Sequence, residues 1–96
     1  MKLGVFVSDY GAAGDTLQRL KPDGIILVLN GVYHGFLKEA GKPSPLLGMA
    51  PKLYALSEDI ETRGLSPAGI DGKVKVVNYG GLVDVMFTDF DKLAWL

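Results

Sequence analysis

Lys52–Leu65, KLYALSEDIETRGL, reads as an apolar strand that passes directly into a short acidic helix and stops at a glycine. Leu53-Tyr54-Ala55-Leu56 is an unbroken apolar run of strand length. Ser57 follows as the predicted N-cap, its hydroxyl placed to accept one of the N–H groups that a first helical turn leaves without an intrahelical partner. Glu58, Asp59 and Glu61 set negative charge at the positive end of the helix dipole. Gly64 can adopt the left-handed conformation that closes a helix, which brings Leu65 back against Ile60. Strand, cap, helix and stop together make a βα corner, and the chain on either side repeats the alternation.

Upstream, Lys2–Ser8 (KLGVFVS) is a β-branched and aromatic run that predicts a buried first strand, ended by the turn residues Asp9-Tyr10-Gly11. A short helical pattern through Leu17 and Leu20 is stopped by Pro22. Gly24–Leu29 (GIILVL) shows no alternation, as expected of a strand covered on both faces, and is predicted to be the centre of the sheet. Val32, Phe36, Leu37 and Ala40 have helical spacing closed by Gly41. Lys42–Met49, with two prolines, predicts a loop with a turn of helix at Leu46-Leu47.

Downstream of the corner, Ser66–Gly72 is a Pro/Gly connection and Lys73–Val77 half-alternates, as a strand near the sheet edge does. Leu82–Phe87 fits a helix, with a strand as the alternative its β-branched content allows. Asp91–Leu96 has no readable period. The alternation predicts an α/β fold: one domain over residues 1–96, a small three-layer α/β/α arrangement with a mainly parallel sheet of four to five strands.

Composition narrows the function classes. The 96 residues are 48% hydrophobic and 22% charged, with a mean hydropathy of +0.22. So apolar a chain of this length predicts exposed patches and hence oligomerisation. Its net charge is −1 and its ten basic residues are scattered, so the electrostatic footprint of a nucleic-acid binder is missing. No apolar run reaches the ~20 residues of a membrane span and no secretory pattern opens the chain, which reads as soluble and cytoplasmic. There is no cysteine, and with it go disulfides, cysteine-ligated zinc and thiolate chemistry on this chain.

In a parallel sheet, ligands sit beyond the carboxyl ends of the strands, here the turns at 9–15, 30–34, 57–59 and 78–81. Gly11-Ala12-Ala13-Gly14 resembles a phosphate cradle only loosely: it lacks the Gly-Lys-Ser/Thr and GxGxxG patterns, and Asp9 and Asp15 flank it with repelling charge. Glu58 and Asp59, as helix neighbours, point about 100° apart, which suits dipole partners better than an acid/base or metal-binding pair. His34 is the only histidine and has no HExxH-spaced acid, so a structural or surface role is expected. Asp9, Asp59 and a lysine do not assemble a receiver-like acidic pocket at this chain length. No catalytic residue, metal site or cofactor is expected, and the aromatics Tyr33, Phe36, Phe87, Phe90 and Trp95 are the candidates for an apolar contact surface.

Lys52–Leu65 resembles the signature of the DsrH/TusB family of small sulfur-relay subunits. Three more stretches agree in order and spacing: Ile25–Tyr33 (IILVLNGVY), Lys73–Val85 (KVKVVNYGGLVDV) and the ending Ala94-Trp95. Departures are Tyr33-His34, Gly80-Gly81 and the loop at Lys42–Met49. The resemblance implies a DsrEFH-like cytoplasmic subunit that joins DsrE/TusD-like and DsrF/TusC-like partners in a dimer of heterotrimers. Such assemblies pass persulfide sulfur toward 2-thiolation of wobble uridine in tRNA or through dissimilatory sulfur oxidation. Without a cysteine this chain is expected to be an accessory subunit rather than a carrier, with Asn30, Gly31, Tyr33, His34, Glu58, Asp59, Arg63 and Trp95 as its candidate interface. The competing reading is a homo-oligomeric small-molecule-binding module that uses the turns at 9–15 and 30–34.

Overall fold

A computed structural model describes residues 2–10, 14–39 and 41–96. In chain order the elements are β1 (Leu3–Val7), α1 (Gly14–Leu20), β2 (Gly24–Leu27), a 3₁₀ segment (Leu29–Gly35), the short strands β3 (Lys38–Glu39) and β4 (Lys42–Pro43), and a 3₁₀ turn (Pro45–Gly48). There follow β5 (Lys52–Leu56), α2 (Ser57–Thr62), a 3₁₀ turn (Pro67–Gly69), β6 (Lys75–Val77), α3 (Tyr79–Thr88) and β7 (Lys92–Trp95). Five strands form one sheet in the order β6-β5-β2-β1-β7, and every pair in it is parallel. All carboxyl ends therefore face one edge.

The strand without alternation lies at the centre, as its pattern requires: Gly24 to Val28 are all buried. On one face Val5, Val7, Ile25, Leu27, Leu53 and Ala55 pack with Leu17 of α1, Val32, Leu46, Leu47 and Ile60 of α2. On the other, Phe6, Ile26, Val28, Tyr54 and Leu56 pack with Leu82 of α3 and with Phe90. Gly4 and Gly24 open a seat in that second face, because a Cβ on either would stand 2.8 or 2.2 Å from the Phe90 ring. Helices thus cover both faces and the layers are three.

The βα corner closes as predicted at its far end. Gly64 has φ +71°, and the Leu65 N–H reaches back to the Ile60 carbonyl at 3.2 Å. Its near end differs. β5 enters α2 with no intervening residue, so Leu56 is the N-cap and makes no side-chain cap bond; the Ser57 hydroxyl, already inside the first turn, donates instead to Glu58 Oε1 at 2.9 Å. The capping side chain appears at α3, where Asn78 Oδ1 accepts the Gly81 N–H at 2.8 Å. α3 also settles the Leu82–Phe87 alternative in favour of a helix.

Two further expectations are corrected. The helix expected from Val32 gives way to the 3₁₀ segment Leu29–Gly35, followed by the antiparallel pair Lys38–Glu39 and Lys42–Pro43; its predicted end at Ala40 lies outside the described residues. The tighter winding eclipses positions three apart, Gly31 over His34 and Val32 over Gly35, and all four are buried. Gly31 has no alternative there, since a Cβ would fall 1.9 Å from the Val7 carbonyl oxygen. The unassigned tail forms β7, whose residues pair with Leu3–Phe6.

Candidate functional site

The carboxyl edge of the sheet is organised by the first turn of α2. Glu58 Oε2 accepts the Tyr79 N–H at 3.3 Å, tying the start of α3 to α2. Asp59 Oδ2 accepts the Leu29 N–H at 2.7 Å, which fixes the chain as it leaves β2. Leu29 is held there at φ +49°, a left-handed conformation that a leucine does not adopt unaided. One turn on, the Arg63 guanidinium donates to the Asp59 carbonyl at 3.1 Å and to Asn30 Oδ1 at 2.9 Å, with the Asp59 carboxylate 3.9 Å away.

Partial desolvation pushes the Glu58 carboxyl up, but its own N–H, the Ser57 hydroxyl and the Tyr79 N–H outweigh that and hold it below the ordinary carboxylate range. Both acids are committed to the backbone of neighbouring segments, so neither is set up as a general base.

Beside this rim, His34 is buried. Its Nε2 lies 3.2 Å from the Asp9 carbonyl, which can only accept, so Nε2 donates. In the neutral ring Nδ1 is then the acceptor for the Ser44 hydroxyl at 2.7 Å, while Ser44 Oγ accepts the Leu46 N–H at 3.4 Å. Tyr10 lies against the imidazole with ring centroids 4.6 Å apart. His34 also borders a cavity of about 290 Å³ with Phe36, Leu37, Pro43, Ile70 and Asp71 in its walls. At the end of β7, Trp95 stacks on Phe6 at 5.1 Å, and its indole N–H donates to Ser8 Oγ at 3.2 Å.

The residues expected at an interface therefore separate. Asn30 and Trp95 are exposed, and Tyr33, Glu58, Asp59 and Arg63 are half-buried on the same edge, while Gly31 and His34 are buried within the chain's own packing. Among the aromatics expected to be available, Phe87 and Trp95 are exposed, but Phe90 is core, seated over Gly4 and Gly24 and edge-on to Tyr54 at 6.4 Å. Phe36 is half-buried against the other core cluster. Of the Gly11–Gly14 turn only Gly14 is described.

Three participants went unsingled: Leu29 and Tyr79, both exposed at the edge and both tethered through their N–H groups, and Ser44. Tyr79 and Leu29 were legible as the residues at the ends of predicted strands and turns; nothing in the loop around Ser44 marks it. Among the described residues, no group of three His, Asp or Glu side chains stands close enough to hold a metal ion, and no helix is long and apolar enough to cross a membrane.

Comparison with known proteins agrees with this picture. A family profile described as "DsrH like protein" matches residues 9–91. Protein TusB of Photorhabdus laumondii subsp. laumondii is 34% identical over 73 residues, covering 76% of this chain and 75% of that protein. The crystal structure of the ychN protein from E. coli superposes with a TM-score of 0.68 over all of both chains at 16% identity, a likeness of fold. By its family match over most of its length and its identity to TusB, the chain belongs to the DsrH/TusB family.

Proposed function

We propose that this chain is a non-catalytic subunit of a cytoplasmic sulfur-relay complex, supporting a cysteine-bearing partner in persulfide transfer. One observation carries the division of labour: a member of a sulfur-relay family contains no cysteine. In the transfer, an acceptor thiolate attacks the outer sulfur of a donor persulfide, the S–S bond breaks and the donor leaves as a thiolate. Both sulfur nucleophiles must then reside on other chains. The contribution of this subunit is a firm docking rim at the carboxyl edge of its sheet, where Asn30, Tyr33, Glu58, Asp59, Arg63 and Trp95 stand with Leu29 and Tyr79. Gly31 and His34 support that rim from beneath.

The test is co-expression with DsrE/TusD-like and DsrF/TusC-like subunits. Co-purification is expected, followed by persulfide labelling on a partner chain alone. Failure to associate, or a sulfur adduct found on this chain, would overturn the reading. Relay products separate its two settings, 2-thiouridine in tRNA or oxidised sulfur species. A second reading, a small-molecule-binding module, draws on the cavity beside His34. Metabolite-dependent thermal stabilisation of the purified chain would favour it, because a ligand that binds only the native state raises the unfolding temperature.

A further inference from the structure

The two faces of the sheet are covered unequally. One carries side chains from α1, the 3₁₀ segment, the turn at Pro45–Gly48 and α2; the other carries α3 alone, with Phe90 at its foot. Five strands ~4.8 Å apart span about 19 Å from first to last, and a helix about 10 Å across covers roughly half of that. Over β1 and β7 the cover is one indole: Trp95 lies nearly parallel to the Phe6 ring, 5.1 Å away at 20°, and is itself 60% exposed. Leu93, two residues earlier on the same side of β7, is also exposed. On α3, Tyr79, Val83 and Phe87 recur every four residues and so form one stripe, with exposures of 59, 48 and 82%.

We propose that this face, the outer stripe of α3 with Trp95 and Leu93, is a self-association surface that receives the same face of a second copy of this chain. An isologous contact needs a patch that complements itself, residue i meeting j while j meets i. The face supplies one such pair of charges. Asp84 is exposed on α3 next to Val83. Lys75 is exposed at the opposite margin, on the α3 side of the sheet, because it is the β6 partner of Tyr54 and alternates with Val77, which packs in the same cluster. Among the described residues neither makes an ion pair. Each copy thus brings one acid and one base to an otherwise apolar face.

The apolar supply sets the strength. Three aromatics offering roughly 150–250 Å² each, about two-thirds open, with Val83 and Leu93, give on the order of 400–500 Å² per copy. That falls short of the ~800 Å² per partner of a standard stable interface. A reversible dimer in the micromolar range follows. The inference stands apart from the sulfur-relay reading, because it is measured on the purified chain with no other protein present.

Sedimentation equilibrium between roughly 5 and 500 µM is the test. The expected result is a monomer–dimer equilibrium, weakened at least ~10-fold by Phe87→Glu, whose site is open enough to keep the fold; circular dichroism checks this. Asp84→Lys and Lys75→Asp should each weaken dimerisation ~3–5-fold, and the double charge exchange should restore it. A monomer across the range, dimerisation indifferent to Phe87→Glu, or no recovery in the double variant would each overturn the proposal. So would loss of relay-partner capture by Phe87→Glu with self-association intact, which would give this face to a non-identical subunit.

Discussion

Glu58 and Asp59 are neighbours in sequence that hold different parts of the molecule: Glu58 accepts the Tyr79 N–H and Asp59 the Leu29 N–H. The ~100° between adjacent helical positions, which rules them out as a catalytic pair, is what lets one turn of α2 fasten the entry to α3 and the exit from β2 together.

Removing the Asp59 carboxylate should release Leu29 from its left-handed conformation. Asp59→Ala is expected to lower stability by about 1–2 kcal/mol, the range for a bond to a charged acceptor near the surface. Hydrogen exchange at the Leu29 amide should accelerate with it; unchanged protection would show that the carboxylate is not the tether. Leu29→Asn, which tolerates positive φ, should stay within about 0.5 kcal/mol of the parent.

Two glycines separate steric need from tolerance. Gly31→Ala drives a methyl into the Val7 carbonyl, backbone that cannot step aside, and should cost at least about 3 kcal/mol in urea denaturation. Gly48→Ala meets nothing within 4 Å and should change stability by less than about 0.5 kcal/mol.

Under α3, Phe90 and Gly24 should be energetically coupled. Phe90→Ala leaves a void and is expected to cost about 3–5 kcal/mol. Gly24→Ala is disruptive while the ring is present and tolerated once it is gone, so the double-mutant cycle should show a coupling above about 1 kcal/mol. Additive effects would mean that the ring sits elsewhere.

Tyr54 and Asp89 set a pH dependence at both ends of the scale. The Tyr54 hydroxyl donates to Asp89 Oδ2 at 2.5 Å, and Lys52 lies 3.7 Å from the same oxygen. Burial, with the bond to Asp89 and its charge, pushes the Tyr54 phenol up to about 12. That stabilisation is complete below the ordinary phenol value near ~10 and is lost as pH rises toward 12. The Tyr54 hydroxyl, aided by Lys52 and Thr88 against partial desolvation, holds the Asp89 carboxyl below its usual range. Its contribution is present above ~4 and lost as pH falls through the lowered value. Tyr54→Phe should cost about 1 kcal/mol at neutral pH, and the gap in melting temperature should narrow below ~4 and above ~10. A gap independent of pH would break the assignment.

The sheet's interior was legible because burial on both faces leaves a mark: Gly24–Leu29 has no polar position in its strand to interrupt. β7 left none, since Lys92, Leu93 and Trp95 are exposed and its strand state comes from pairing with Leu3–Phe6, far away in sequence. Ser57 obeyed every local rule for a cap and was overruled by a strand that runs straight into its helix. The apolar spacing of Val32–Ala40 suited an α-helix, but the close approach of Gly31 to Val7 is a tertiary demand that no local window contains. At the edge, the acids of α2 were visible as residues; their acceptor roles were not, because the donors come from β2 and α3.

The adjacency of β1 and β7 also has a temporal side. Leu3 pairs with Lys92 and Phe6 with Trp95, the Lys2 N–H donates to the Asp91 carboxylate at 2.8 Å, and Trp95 roofs Phe6. On the ribosome, β1 is made before any of these partners, so one flank of the strand waits with its edge unpaired and Phe6 uncovered through the synthesis of some eighty-five residues. Such separated pairing is slow to find and leaves a strand edge open meanwhile. The aromatic that completes this sheet is thus also the signal that the nascent chain is ready to close.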